Sequence, residues 1–234
     1  QAFDACSDVT WSNDFDALSD DCGATGMATV TFTATDDCGN SSSTTATFTI
    51  EDTTAPAIDM AAMDATVECD GAGNAADLDG WLASNGGASA SDACSDVTWS
   101  NDYDGLAVDC GATGSTTVTF TATDDCGNSS ETTATFTIED TTAPAITASN
   151  EVDVPCDEYD ATMAYDYSAS DDCSDVTTTI EDLFFSGACE GTYQRTYTAM
   201  DDCGNSSQFV QIINLTDEEA PTFTIACPAD VTLS

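Results

Sequence analysis

The sequence predicts an all-β fold of tandem, disulfide-stapled sandwich domains, and three features carry that expectation. Residues 5–58 and 93–146 are identical at 47 of 54 positions, at an offset of 88. Self-similarity at that period marks a chain built from repeated domains. Apolar residues alternate with Thr, as in Thr117-Val118-Thr119-Phe120-Thr121-Ala122-Thr123, the period of a half-buried strand. Finally, there are 12 Cys at repeated spacings and no closely spaced pair, which reads as a disulfide framework made in an oxidising, extracellular compartment.

The elements follow in order within one repeat. Thr133-Ala134-Thr135-Phe136-Thr137-Ile138 repeats the alternation after the turn Asp124-Asp125-Cys126-Gly127-Asn128, which predicts an antiparallel hairpin. Phe120, Phe136 and Ile138 are expected in the core, with Trp99 as its central plug. Asn74 to Leu82 is the one helical stretch: Asn74 is placed to cap it, Leu78, Trp81 and Leu82 share a face, and Asn85-Gly86 ends it. The helix follows the first strand of the second unit. A third, diverged copy lacks it, which makes it an expected decoration of the sandwich. The predicted units are an incomplete repeat over 1–54, a complete one over 55–142, a shorter one over 143–219, and the first strand of another over 220–234.

Composition excludes several functions. Asp and Glu number 44 against one basic residue, Arg195, for a net charge of −43. Nucleic acids and anionic membranes need Lys or Arg to neutralise phosphate, so neither is an expected partner. There is no His and no Lys to act as the base of a nucleophilic triad. The carboxylates recur too regularly to define one active site, and no catalytic residue is assigned. No long apolar run predicts a membrane span.

The phrases TVTFTATDDCGNSS and IEDTTAPAI resemble the hyalin-repeat (HYR) type of immunoglobulin-like module, in the cysteine-rich form that Bacteroidota carry in long arrays on secreted surface proteins. Comparable arrays occur in the gliding-motility adhesins exported by the type IX secretion route. The resemblance spans essentially the whole chain. It implies tandem immunoglobulin-like β-sandwiches, an extracellular or cell-surface location, and a non-catalytic stalk, fibre or adhesin whose partners are further repeats or copies of itself, surface glycans, or a host or substratum. Asp52-Thr53-Thr54 and Asp140-Thr141-Thr142 resemble the Bacteroidota O-glycosylation motif, making Thr53 and Thr141 candidate acceptors. Asn40, Asn128, Asn205 and Asn214 stand in N-x-S/T sequons.

Four Cys per unit allow three pairings. Immunoglobulin topology, with each bridge kept inside a repeat, selects Cys69–Cys110 and Cys94–Cys126; Cys6–Cys38, Cys156–Cys189 and Cys173–Cys203 then follow by register. That scheme leaves Cys22 and Cys227 as the halves of a bond made outside 1–234 or between subunits. Two readings of the ends stay open, a window on a longer array or head-to-tail subunits joined by a donated C-terminal strand.

The same topology gathers acids at the junctions. Glu51, Asp52, Glu139 and Asp140 end one repeat. Asp92, Asp96, Asp124, Asp125 and Asn128, or Asp171, Asp172, Asp201, Asp202 and Asn205, open the next. Converging carboxylates repel unless a cation neutralises them, and Ca²⁺ is the hard, oxygen-seeking ion available outside cells. The competing reading is turn chemistry, which also favours Asp, Asn and Gly. A self-assembling filament and a carbohydrate-binding module are the functional alternatives; all three Trp have core roles available, which counts against a sugar platform.

Overall fold

The computed structural model describes residues 2, 4–6, 8–186, 191–217 and 220. Among them the chain is built of strands with one short helix, and it divides into two compact units. One takes Gln1–Val67, Asn74–Val108 and Gly114–Glu139; the other takes Glu68–Gly73, Asp109–Thr113 and the chain from Asp140 onward. Two tips of the second repeat therefore belong with the third.

In the first repeat, β1 (Val9–Asn13), β2 (Gly26–Asp36) and β3 (Ser41–Ile50) form one antiparallel sheet in that order. The second repeat is complete. Its elements are β4 (Ala57–Met60), β5 (Ala65–Glu68), α1 (Ala75–Ala83), β6 (Ser89–Ser91), β7 (Val97–Asn101), β8 (Ala107–Val108), β9 (Gly114–Asp124) and β10 (Ser129–Glu139). Strands run β5-β10-β9-β7 in one sheet, with β8 on β9, and β4 pairs β6 in the other. The expected hairpin is present, with Phe120 opposite Thr132 and Phe136 opposite Thr116.

The third repeat follows the same plan with β11 (Ala145–Ala148), β12 (Glu151–Pro155), β13 (Tyr167–Ser170), β14 (Val176–Ser186), β15 (Thr192–Asp201) and β16 (Ser206–Thr216). Its sheets are β12-β16-β15-β14 and β11-β13, with β12 parallel to β16. Two sheets each in the second and third repeats make the immunoglobulin-like sandwich.

The period-2 pattern sends Val118, Phe120 and Ala122 inward from β9, all at 0% exposure, and Phe136 and Ile138 inward from β10. The plug of this core differs from expectation. Trp99 and Trp81 are both half buried, and it is Trp81 from α1 that packs on the core rings, edge-on to Phe120 at 5.3 Å and tilted to Phe136 at 5.4 Å. Its indole N–H donates to the Met63 carbonyl at 3.1 Å, which pairs the polar edge of the half-buried ring. The helix is thus part of the core and not a decoration. Asn74 stands at its N-cap in the left-handed region without a side-chain cap bond, and its amide donates instead to Asp77.

The third repeat, lacking that helix, fills the space with polar groups. Arg195 takes the register of Val118, Tyr197 that of Phe120 and Gln211 that of Ala134, and all three are 0% exposed. Buried polar groups must be paired, and these are. Arg195 Nε donates to Asp182 Oδ1 at 2.7 Å and Nη2 to Oδ2 at 2.6 Å, while Nη1 donates to the Met163 carbonyl. Tyr159 and Tyr165 lie under the guanidinium, and Tyr159 also donates to Asp182. Tyr197 donates to Gln211 at 2.9 Å, and the Gln211 amide donates to the Ser149 and Tyr165 carbonyls.

The first repeat has nearly the sequence of the second but not its burial. Phe32, Phe48 and Ile50 are 38, 61 and 36% exposed, whereas their counterparts Phe120, Phe136 and Ile138 are 0, 1 and 2%. Trp11, expected in a core, is 52% exposed. The cause is architectural: β4, β5, β6 and α1 cover this face in the second repeat, and no equivalent elements stand over it among the described residues.

Candidate functional site: the repeat junctions

The three disulfides of the described residues are Cys22–Cys126, Cys69–Cys173 and Cys110–Cys203. Each joins one repeat to the next. This corrects the intra-repeat pairings Cys69–Cys110, Cys94–Cys126 and Cys173–Cys203. It also corrects Cys6–Cys38, since both thiols are exposed and unbonded to each other, and it removes Cys22 from any bond to Cys227. Cys189 and Cys227 lie outside the described residues, so Cys156–Cys189 falls there too. The physical reason is the loop before the long central strand. Asp21–Thr25 and Asp109–Thr113 project from the end of one repeat into the start of the next, placing their Cys against the following hairpin turn.

Both loops are built alike. Thr25 and Thr113, each buried, donate to the Cys22 and Cys110 carbonyls at 2.6 Å and accept from the same residues' N–H at 3.1 Å. Gly23 and Gly111 sit at φ +54 and +56, and a Cβ there would lie 2.4 Å from the Cys94 carbonyl or 2.3 Å from that of Cys173. Glycine is therefore required for the approach as well as for the dihedral. The next residue completes the dock: Ala24 N–H donates to the Cys94 carbonyl at 2.7 Å, and Ala112 N–H to that of Cys173 at 2.8 Å.

The linkers are held with equal regularity. Asn128 donates its side-chain amide to Asp124 at 2.9 Å and to the Asp52 carbonyl at 3.3 Å, and Ser130 donates to the Pro56 carbonyl at 2.7 Å. Asn205 and Ser207 repeat this on Asp201, Asp140 and Pro144 at 3.0, 2.9 and 2.6 Å. Pro56 and Pro144 are fully buried. Glu68 clamps the second linker, accepting from Thr141 N–H and Oγ1 and from Thr142 Oγ1 at 2.8–2.9 Å. Those bonds hold its carboxyl below the ordinary value. Sequence reading missed Glu68, because nothing local in Ala65–Glu68 points at a linker 73 residues on.

Some of the predicted acids converge here. Ligand atoms of Asp52, Asp92 and Cys94 lie within 4.8 Å of one another, as do those of Asp140, Asp171 and Cys173. Asp92 Oδ1 accepts from Cys94 and Ser95 N–H at 2.8 and 3.2 Å, and Asp171 Oδ1 from Cys173 and Ser174 N–H at the same distances. Asp52 Oδ2 and Asp140 Oδ2 are buried with no hydrogen-bond partner. Burial, together with the charges of Asp171, Asp201 and Glu68, raises the Asp140 carboxyl above its ordinary value, against a bond from Thr142. Burial also raises the Cys94 thiol, with Asp52, Asp92 and Asp124 adding to it. Cys173 is in a disulfide, and a hard cation prefers oxygen to sulfur, so the carboxylates are the ligands such an ion would find. Glu51, Asp96, Asp125, Glu139, Asp172 and Asp202 are exposed and stand outside both triads.

No protein-family model matches the chain, and no curated protein matches it. Solved structures of similar trace are cadherin extracellular domains. The protocadherin gammaB7 EC3-6 cis-dimer structure is 15% identical, with a TM-score of 0.34, covering 91% of this chain and 67% of that one. Protocadherin gamma B2 extracellular cadherin domains 1-5 give 14% and 0.33, covering 86% of this chain and 47% of that one. Mouse clustered PcdhgC3 EC1-3 gives 12% and 0.32, covering 85% and 79%.

Proposed function

We propose that the chain is a non-catalytic, extracellular structural or adhesive repeat protein of the HYR type, with units at 1–54, 55–142, 143–219 and 220–234, which serves as a stalk or fibre stiffened by Ca²⁺ at its junctions. One observation carries the reading: every described disulfide crosses a junction, Cys22–Cys126 at the first and Cys69–Cys173 and Cys110–Cys203 at the second. Any disulfide adds stability, but bridges placed across the junctions also tie successive repeats into one covalent path, which suits a part that bears load. Among the described residues no helix is long and apolar enough to cross a membrane. Exposed Thr53 and Thr141 remain proposed glycosylation sites, of which Thr141 would have to give up its Oγ1 bond to Glu68. Asn128 and Asn205 are unsuited to carry a glycan, since their amides are engaged in the linkers.

The Ca²⁺ proposal rests on the two orphaned oxygens, Asp52 Oδ2 and Asp140 Oδ2. A cation held by Asp52 and Asp92, or by Asp140 and Asp171, would satisfy them, with water completing a shell of about six to eight oxygens. The test is thermal melting in Ca²⁺ and in EDTA. We expect Ca²⁺ to raise Tm by several degrees, and Asp140→Asn to abolish most of the second junction's share. In EDTA the sign reverses. The folded Asp140 carboxyl is raised, so its contribution favours folding at low pH and is lost as pH rises through the folded value. Asp140→Asn, which cannot ionise, should then melt slightly higher than wild type at pH 7. Identical melts in Ca²⁺ and EDTA would remove the ion from the account.

The second reading is a filament subunit completed by a strand from a neighbour. It is favoured by the exposed Phe32, Phe48 and Ile50 of the first repeat. Its proposed donor, 220–234, falls almost entirely outside the described residues. A carbohydrate-binding module would need an exposed aromatic platform, for which the structure offers Trp11, 52% exposed in the uncovered first repeat.

A further inference from the structure

The second and third repeats finish the same sheet edge differently. In the second, the strand outside β9 comes in two short pieces, β7 of 5 residues and β8 of 2, with 102–106 between them. Where the strand lapses a side chain takes its place, Asp102 Oδ1 accepting from Thr119 N–H at 2.7 Å. Short, interrupted edge strands keep a sheet from pairing with foreign chains. In the third repeat β14 runs for 11 residues. It is last in the order β12-β16-β15-β14, so β15 is its one strand partner among the described residues. It contains no Pro, and its register shift lies at its end, between Phe184 and Ser186.

This open edge is apolar as well as long. Leu183, Phe184 and Phe185 are 59, 49 and 57% exposed, and a contiguous run of that kind marks a contact surface. Phe184 lies against Tyr193 at 4.9 Å, and Tyr193 stacks on Tyr159 at 4.7 Å, so the rings at this end are held in place before anything binds. The backbone is open too. The Asp182 side chain is only 14% exposed, because it pairs with Arg195, yet the residue as a whole is exposed. Its main chain is therefore the part that faces solvent.

Charge decides what kind of strand fits. The one basic residue of the chain, Arg195, is fully buried, so every charged side chain on the surface is an acid. Glu181 stands exposed on β14 itself, and Asp157, Glu158 and Asp160 are exposed on either side of Tyr159. A second copy would bring like charge to like charge, which opposes association. We infer that β14 is a docking edge for an extended segment of a basic partner, which adds to the sheet as a further strand. Its apolar side chains continue the face of Ile180 and Phe184. Its Lys or Arg side chains lie on the face of Glu181, with their stems along Leu183. The second repeat, its edge broken between β7 and β8, offers no such site.

The test is hydrogen exchange of the full chain with a synthetic peptide of about eight residues that alternates Lys with Val. The expected result is binding that slows exchange of the β14 amides facing away from β15. A peptide of equal charge, N-methylated at alternate residues, keeps the electrostatic attraction but loses the strand's N–H donors, and should bind at least about tenfold more weakly. A peptide alternating Glu with Val should not bind. Equal binding of the N-methylated peptide would overturn the docking edge, because it would show a polycation adhering to an acidic surface. Equal binding of the Glu peptide would overturn the basic partner. Protection of β14 in the protein alone, rising with its concentration, would place a second copy at the edge and overturn the inference in that way.

Discussion

Replacing Cys22 and Cys126 together by Ser lowers the stability of the first junction by several kcal/mol. The bridge closes a loop with a sequence separation of 104, for which the loss of denatured-state entropy corresponds to about 4.7 kcal/mol. With a urea dependence of roughly 2 kcal/mol per molar, the midpoint should fall by about 2 M. The effect is large because this is the one bridge of the first junction among the described residues. What remains there is the Ala24 bond to the Cys94 carbonyl and the linker bonds from Asn128 and Ser130, each contributing about 1 kcal/mol. An unchanged midpoint would mean that these sulfurs are not joined in the folded protein.

The next largest effect is expected in the third repeat. Asp182→Ala leaves the fully buried Arg195 guanidinium without its charged partner, at a cost of about 3–5 kcal/mol. Replacing both by apolar residues, Arg195→Met with Asp182→Leu, should recover most of that loss, because desolvating the pair offsets much of its attraction. The pair also gives acid unfolding a sign. Burial pushes the Asp182 carboxyl up, but hydrogen bonds from Arg195 and Tyr159 outweigh it and hold the carboxyl below its ordinary value. A depressed folded pKa contributes stability that is complete above the unfolded value, about pH 3.9, and is lost as pH falls through the folded one. Unfolding of the third repeat followed by tyrosine fluorescence should therefore weaken below about pH 4, and the apolar double variant should lack that share of the acid dependence.

Strands and helix were legible because each is a local pattern. Alternation in Thr117–Thr123 and Thr133–Ile138 placed Phe120, Phe136 and Ile138 correctly, and Asn85-Gly86 marked the end of α1. Partners across repeats were not legible. With near-identical copies, Cys126 and Cys38 have the same neighbours, so register alone cannot say whether Cys22 meets the turn of its own repeat or of the next. Only the reach of the Asp21–Thr25 loop decides it. The helix reads as a decoration in the sequence because the third repeat dispenses with it, although Trp81 has a core role available. The signal that could have found the replacement was Arg195 in the inward register of Val118, a lone cation in a chain of net charge −43. Of the acids, ligand atoms of Asp52 and Asp92, and of Asp140 and Asp171, lie within 4.8 Å of each other, while Asp125 and Asp202 are exposed.

The most direct test of a covalently stapled, load-bearing array is to pull one molecule by its ends under oxidising and reducing conditions. Through Cys22–Cys126 and Cys110–Cys203 the covalent path between the ends shortens to about 70 residues. The oxidised chain should then stop at roughly 240 Å, against roughly 800 Å when reduced. An oxidised chain that stretches to the reduced length would contradict the account, because no bridge would then span the junctions.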